Sequence, residues 1–192
     1  KIWDIFLNLF IKRSSHLLQK ELYVLIYKLS ERQHLLEIHQ EICSWLFKLF
    51  MPPGCAMIFA DTNKVVYKGW RTMNPNPYSG FFNKPSDIPG GDALLSISAT
   101  HPILKKIAAD RARLITRAMI DQWMDELQLV NAPEDRLQQA GAIIPIYSQS
   151  RLLSLVMIGS KLNDRSYSKP EKMIFENIGA VLGPFIENAK LL

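Results

Sequence analysis

Apolar side chains recur at three- and four-residue intervals along the first fifty residues, with no proline or glycine before Pro52-Pro53-Gly54. That spacing predicts helix. Leu18, Leu22, Leu25 and Leu29 follow a four, three, four rhythm, an a/d seam able to pair with another helix. A second, shifted stripe runs through Leu35, Ile38, Ile42, Trp45 and Leu49. Between the stripes, Ser30 and Gln33 have capping-box spacing, so the chain either breaks there into two helices or stays continuous while its apolar face rotates. Ahead of the seam, the apolar stretch Ile2 to Ile11 is closed by Lys12-Arg13, which suits a partner helix, a membrane surface, or the flank of an upstream membrane anchor outside the sequence.

After Pro52-Pro53-Gly54 the period changes. Cys55 to Ala60 is a short continuous apolar run, Asp61-Thr62-Asn63 a turn, and Val65 to Trp70 a returning strand. Arg71 to Asp92 reads as one long loop, the kind that is usually functional or mobile. A helix is expected from about Ala93 to Ala108, with Thr100-His101-Pro102 able to divide it, because a proline suits a fresh first turn. A strand at Leu114 to Ala118 and a short helix at Asp121 to Leu129 follow.

The last fifty residues are the most regular. Ile143 to Ile146 and Leu152 to Ile158 read as adjacent antiparallel strands joined by the polar turn Ser148-Gln149-Ser150. Ser168 stands three residues before Glu171, with Pro170 in the first turn, which marks a capped helix start. From there Ile174, Ile178, Val181, Phe185 and Leu192 recur at helical spacing, with more apolar surface than one sheet face needs. Gly183-Pro184 predicts a kink in that helix.

Composition narrows the choices. With 192 residues, 48% of them hydrophobic, the chain can fill the core of one domain plus an extension. It contains no apolar run long enough to span a bilayer, and no signal-peptide pattern; a start at Lys1 reads as a piece of a longer, cytoplasmic protein. The net charge of +5 is modest, and the local basic concentration at Lys105-Lys106, Arg111, Arg113 and Arg117 reads as a solvated surface, so no nucleic-acid partner is expected. Cys43 and Cys55 read as buried thiols. His16, His34, His39 and His101 are scattered over separate elements, so no metal is expected; Asp121, Asp125 and Glu126 read as ordinary helix charges. No catalytic constellation is recognisable and no cofactor is implied.

The order of elements, together with Ile158-Gly159-Ser160-Lys161, Tyr167-Ser168, His101-Pro102-Ile103-Leu104 and Glu187-Asn188-Ala189-Lys190-Leu191, resembles the GAF domains over Glu31 to Leu192. The resemblance implies an α+β fold, a central antiparallel sheet flanked by helices, with residues 1–30 as a long N-terminal signalling or coiled-coil helix and 31–192 as the sensor domain. It implies a regulatory, non-enzymatic role in a bacterial signal-transduction protein such as a histidine kinase, relaying ligand or partner binding through the terminal helices. A purely structural dimerisation module with a filled pocket is the alternative. A small-molecule pocket would draw on Trp70, Tyr78, Phe82, Thr116, Met119, Trp123 and Tyr147, with Thr116 and Met119 on the central strand. A homodimer would form on Leu18, Leu22, Leu25 and Leu29 together with Val181 and Phe185. The two cysteines fall in the wrong half for covalent bilin or for the free methionine sulfoxide reductases, and the signature of cyclic-nucleotide phosphodiesterase GAF domains is not present as such.

Overall fold

The structure, a computed structural model, describes residues 17–61, 63, 65–74, 93–129, 137–161 and 166–191. Helix α1 covers 17–30 and α2 Leu35–Phe50; strands β1 (Gly54–Ala60), β2 (Val66–Met73) and β3 (Ala93–Ser98) follow. Then come α3 (Pro102–Asp110), β4 (Ile115–Thr116), α4 (Arg117–Glu126), β5 (Ala140–Ser148), β6 (Arg151–Gly159) and α5 (Lys169–Leu191). The six strands form one antiparallel sheet in the order β3-β2-β1-β6-β5-β4. The expected α+β architecture is present.

Both sheet faces are covered, which is why β1, β5 and β6 read as continuous apolar runs rather than alternating ones. On one face α1, α2 and α5 pack Leu25, Ile42, Leu46, Phe175, Ile178 and Leu182 onto Met57, Phe59, Ile144 and Val156. On the other, α3 and α4 lay Ile103, Ile107, Ile120 and Trp123 over Ile58, Ile143 and Leu155. Each large side chain so buried contributes about 1.5–3 kcal/mol of transfer free energy. The two-residue turn at Gln149 and Ser150 has positive φ at both positions, the pattern of the tight hairpin turns whose twist matches the flanking strands.

Four expectations change. First, Ala93 to Ala108 is not one helix: Ala93–Ser98 is the edge strand β3, paired with β2, and only Pro102–Asp110 is helical. The apolar-polar mix Leu94-Leu95-Ser96-Ile97-Ser98 suits either period, and the open edge of β2 decides for the strand. His101 caps α3 by accepting the Ile103 N–H, and Pro102 fills its first turn as the sequence implies. Second, the strand around 114–118 is only Ile115–Thr116 and lies at the sheet edge; Met119 is therefore on α4, not on a central strand.

Third, the helical arm does break at 31–34, but Ser30 does not cap α2: its hydroxyl donates back to the Tyr27 carbonyl at 2.6 Å, closing α1 instead. Fourth, the leucine seam faces inward. Leu25 and Leu29 are 1% and 0% exposed in the chain's own core, and Leu18 and Leu22 pack against it. Trp45 Nε1 donating to the Glu21 carbonyl and the Lys48–Glu21 ion pair hold α1 to α2. A helix that shares the core in this way is part of the domain, and it has no leucine seam left to offer a partner. Residues 1–16 lie outside the described set.

The capped start of α5 is as the spacing foretold: the Ser168 N–H and hydroxyl both donate to Glu171 Oε2, at 2.7 and 2.8 Å. Helix α5 runs through Pro184 to Leu191. Pro184 and Ala180 both face solvent, so the carbonyl that proline leaves without a donor can be satisfied by water. No helix among the described residues is long and apolar enough to cross a membrane.

Candidate functional site

A cleft of about 590 Å³ opens at the β4 edge of the sheet, within the size range of small-molecule sites. Its floor is Leu114, Ala142 and the Tyr167 ring; its rim carries Thr116, Arg117, Asp121, Ser160, Ser166 and Lys172. Four local features build it. Ala140 and Ala142 flank a bulge in β5, and Gly141 between them sits where a Cβ would lie 2.6 Å from the Ser160 Cα, so only glycine lets the strand start come so close to the end of β6. The short β4 then delivers Thr116 and, one residue on, the first turn of α4 with Arg117 and Ala118, Asp121 following one turn further along.

The remaining wall is the start of α5, and it is pinned from several sides. Tyr167 is buried, donates its hydroxyl to the Gly159 carbonyl at 2.6 Å, and meets Phe175 edge-on at 5.0 Å. Burial, then the Glu171 charge, push its phenol well above the ordinary range. Lys161 lies 5.2 Å from the Tyr167 ring centre and bonds both Glu171 oxygens, at 2.6 and 2.7 Å. The end of β6 and the first turn of α5 are thus one bonded unit.

Glu171 ties that unit together. Burial pushes its carboxyl upward, but the bonds from Lys161 and Ser168 outweigh it and hold the group below the ordinary carboxylate value. A carboxylate lowered on folding stabilises the fold in full above its unfolded pKa, and that contribution is lost as pH falls through the folded value. Replacing Glu171 with Gln is expected to cost about 1 kcal/mol at neutral pH, the usual worth of a cap. The difference between variant and wild type should shrink in strong acid; urea denaturation at both pH values measures it, and an unchanged difference would mean the charge is not what matters.

Among the described residues that line it, the cleft carries two cations and one carboxylate. Arg117 donates to the Gln138 carbonyl and pairs with Asp121 at 2.7 Å, so the one rim carboxylate is engaged. Lys172 has no ion-pair partner among the described residues. Thr116 makes no side-chain cap, and no acidic residue occupies the first turn of α4, so the positive end of that helix dipole is not offset by its own chain.

The expected pocket residues do not come together. Thr116 lines the cleft. Trp70 lies on the α2 side, 5.9 Å from His39 and 6.0 Å from Phe59. Trp123, Met119 and Tyr147 lie on the opposite face, where Trp123 is buried and the Tyr147 hydroxyl donates to the Ile107 carbonyl at 2.9 Å, its own pKa raised to about 12, chiefly by burial. Tyr78 and Phe82 lie outside the described residues. Strand alternation explains the split: Trp70 is an odd number of residues from Tyr67, and Tyr67 faces α3 and α4. The residues missed were Arg117, which reads as solvated surface, Asp121, which reads as an ordinary helix charge, and Lys172, which nothing in the sequence marks out, although Tyr167-Ser168 already stood out as a motif.

A second polar cluster lies beneath α2, with His39, Cys43 and Cys55 buried and Thr72 partly so. His39 Nε2 stands 2.9 Å from Thr72 Oγ1, and Cys43 Sγ 3.6 Å from His39 Nδ1. Burial and the neighbouring Cys43 push the Cys55 thiol up, which makes it a poor nucleophile. Val181 and Phe185 are half-buried, with Phe185 packed on the same core. Among the described residues no three His, Cys, Asp or Glu side chains converge as a metal site would need.

No protein-family model matches the sequence, and no curated protein matches it. Solved structures do. The GAF domain of phosphoenolpyruvate-protein phosphotransferase from Coxiella burnetii superposes with a TM-score of 0.62 at 15% identity, over 92% of this chain and 96% of that one. The corresponding Acinetobacter domain gives 0.62 at 10% identity over 91% and 95%. The GAF domain of a two-component sensor histidine kinase from Bacillus halodurans gives 0.53 at 16% identity over 83% and 98%. The chain has the GAF fold.

Proposed function

We propose that this chain is a regulatory sensor domain of a bacterial signalling protein of the histidine-kinase type, acting in the cytoplasm without catalysis of its own. A small molecule binds the cleft at the β4 edge, and α5 passes its occupancy on. The observation that carries this is the shared wall: the cleft is bounded at once by the first turn of α4, the ends of β5 and β6, and the first turn of α5. A ligand there touches the helix that packs along β5. The fold neighbours taken from a phosphotransferase and a sensor kinase support the same reading.

The domain acts as a homodimer. With the leucines turned inward, the face of α1 left to a partner is Leu17, Val24 and Tyr27, at seven- and three-residue spacing, flanked by Tyr23; Tyr23 is 73% and Tyr27 67% exposed. Large exposed aromatics on one helix stripe are typical of an interaction surface.

Thermal denaturation against a metabolite panel tests the sensor reading. A true ligand at a hundred times its Kd adds about 2.7 kcal/mol of stability and raises the midpoint. No stabilising compound in a panel of anions, cations and neutral molecules would leave the second reading, a structural dimerisation module. The dense packing of Ile58, Ile107, Ile115 and Leu155 between the sheet and α3/α4, which leaves that face filled, favours it.

A further inference from the structure

We propose that the cleft takes a small organic oxyanion, a carboxylate or phosphate monoester of metabolite size, held between α4 and α5. Three observations converge. The rim offers three hydroxyls, Thr116, Ser160 and Ser166, all able to donate. It offers two cations and one carboxylate, and that carboxylate, Asp121, is already engaged by Arg117, which leaves Lys172 as a positive charge with no described partner. Arg117 itself has five N–H donors and meets two acceptors, the Gln138 carbonyl through Nη1 and Asp121 through Nη2, so donors remain.

The alternatives fit less well. A cationic ligand would meet Lys172 with its only counter-charge already paired. A neutral apolar ligand would strip water from an ammonium and three hydroxyls without replacing it, which is costly. An oxyanion satisfies the donors while its carbon skeleton rests on Leu114, Ala142 and the Tyr167 ring. Charge-assisted bonds of this kind are the stronger ones. Because Lys172 lies on α5 and Arg117 on α4, the anion bridges the two helices, and the rigid bonding of Tyr167 and Glu171 makes the α5 wall move as a unit.

This deepens the sensor reading and rests on it for the consequence, not for the binding. The test is amide NMR of the intact chain titrated with inorganic phosphate and, separately, with acetate, with choline chloride at matched ionic strength as control. Saturable shifts at Ser160, Ser166 and Lys172 with phosphate, with acetate or with both are expected, and which of them acts identifies the headgroup. Lys172→Met should weaken binding about tenfold, the loss of one charged contact. Lys172→Arg should retain it, and Asp121→Asn should tighten it, a gain that a merely structural role would not produce. Shifts that never saturate, that choline chloride reproduces, or that ignore both Lys172→Met and Asp121→Asn overturn the inference. Binding whose shifts stop at the cleft and leave α5 beyond its first turn untouched sinks the sensor reading alone, whereas a stabilising neutral metabolite with no phosphate or acetate effect sinks the anion site alone.

Discussion

Gly183→Leu is expected to destabilise the domain by about 3 kcal/mol or more, the upper range for overpacking. Helix α5 lies against β5 through two glycines one turn apart. A Cβ at Gly183 would sit 2.8 Å from the Tyr147 carbonyl oxygen, and one at Gly179 would sit 2.9 Å from Ile144 Cγ2 and 3.1 Å from the Pro145 carbonyl. Two of those three obstacles are backbone, which cannot rotate aside, so the helix itself must lift and carry Ile178, Leu182 and Ile186 off the core. Alanine is a poorer probe, because removing a mid-helix glycine returns up to about 1 kcal/mol of propensity. The neighbouring Ala180→Leu, on the solvent side, should change stability by no more than about 0.5 kcal/mol. Urea denaturation of the pair decides: equal midpoints would mean that α5 is not seated on β5 through these glycines. The magnitude corresponds to a fall of about 6–12 °C in melting temperature for a chain of this size.

Leu29→Ala should cost about 2–5 kcal/mol and leave self-association untouched once the fold is held below its melting range. Leu29 is fully enclosed by its own chain, so its removal leaves a cavity rather than an exposed gap in an interface. Tyr23→Lys with Tyr27→Lys is the opposite experiment: both side chains are mostly in solvent, so stability should change little while a dimer built on that face dissociates. Sedimentation equilibrium beside chemical denaturation separates the two effects. A Leu29→Ala protein as stable as wild type would show that α1 is not part of the core, and a dimer that survives both lysines would place the contact elsewhere. Lysines at Leu22 and Leu25 would only unfold the chain, since Leu25 is buried and Leu22 packs against the same cluster.

The two ends of the chain differ in how far they could be read ahead. Ser168 and Glu171 form their cap because a capping box is a local interaction, complete within four residues. The β5–β6 hairpin likewise joins neighbouring strands through two residues, so its pairing needs nothing distant. The break at 31–34 was legible as a position but not as a mechanism, since Ser30 can serve either helix and the carbonyl of Tyr27 lies within reach. The leucines of α1 were legible as a stripe; a stripe does not say what covers it, and α2 and the sheet reached it first.

Local signals along the chain account for the periods: helix, strand pair, helical insert, strand pair and long closing helix. Short-range terms decide these, through backbone propensity, capping and apolar spacing. Contacts between distant elements settle that Ala93–Ser98 is a strand, that Trp70 and Trp123 lie on opposite faces, and that Arg117 and Lys172, 55 residues apart, share one cleft. Each of those depends on which elements become neighbours across the sheet, and a charge that reads as solvated along the chain takes part in a site only when folding sets another element beside it.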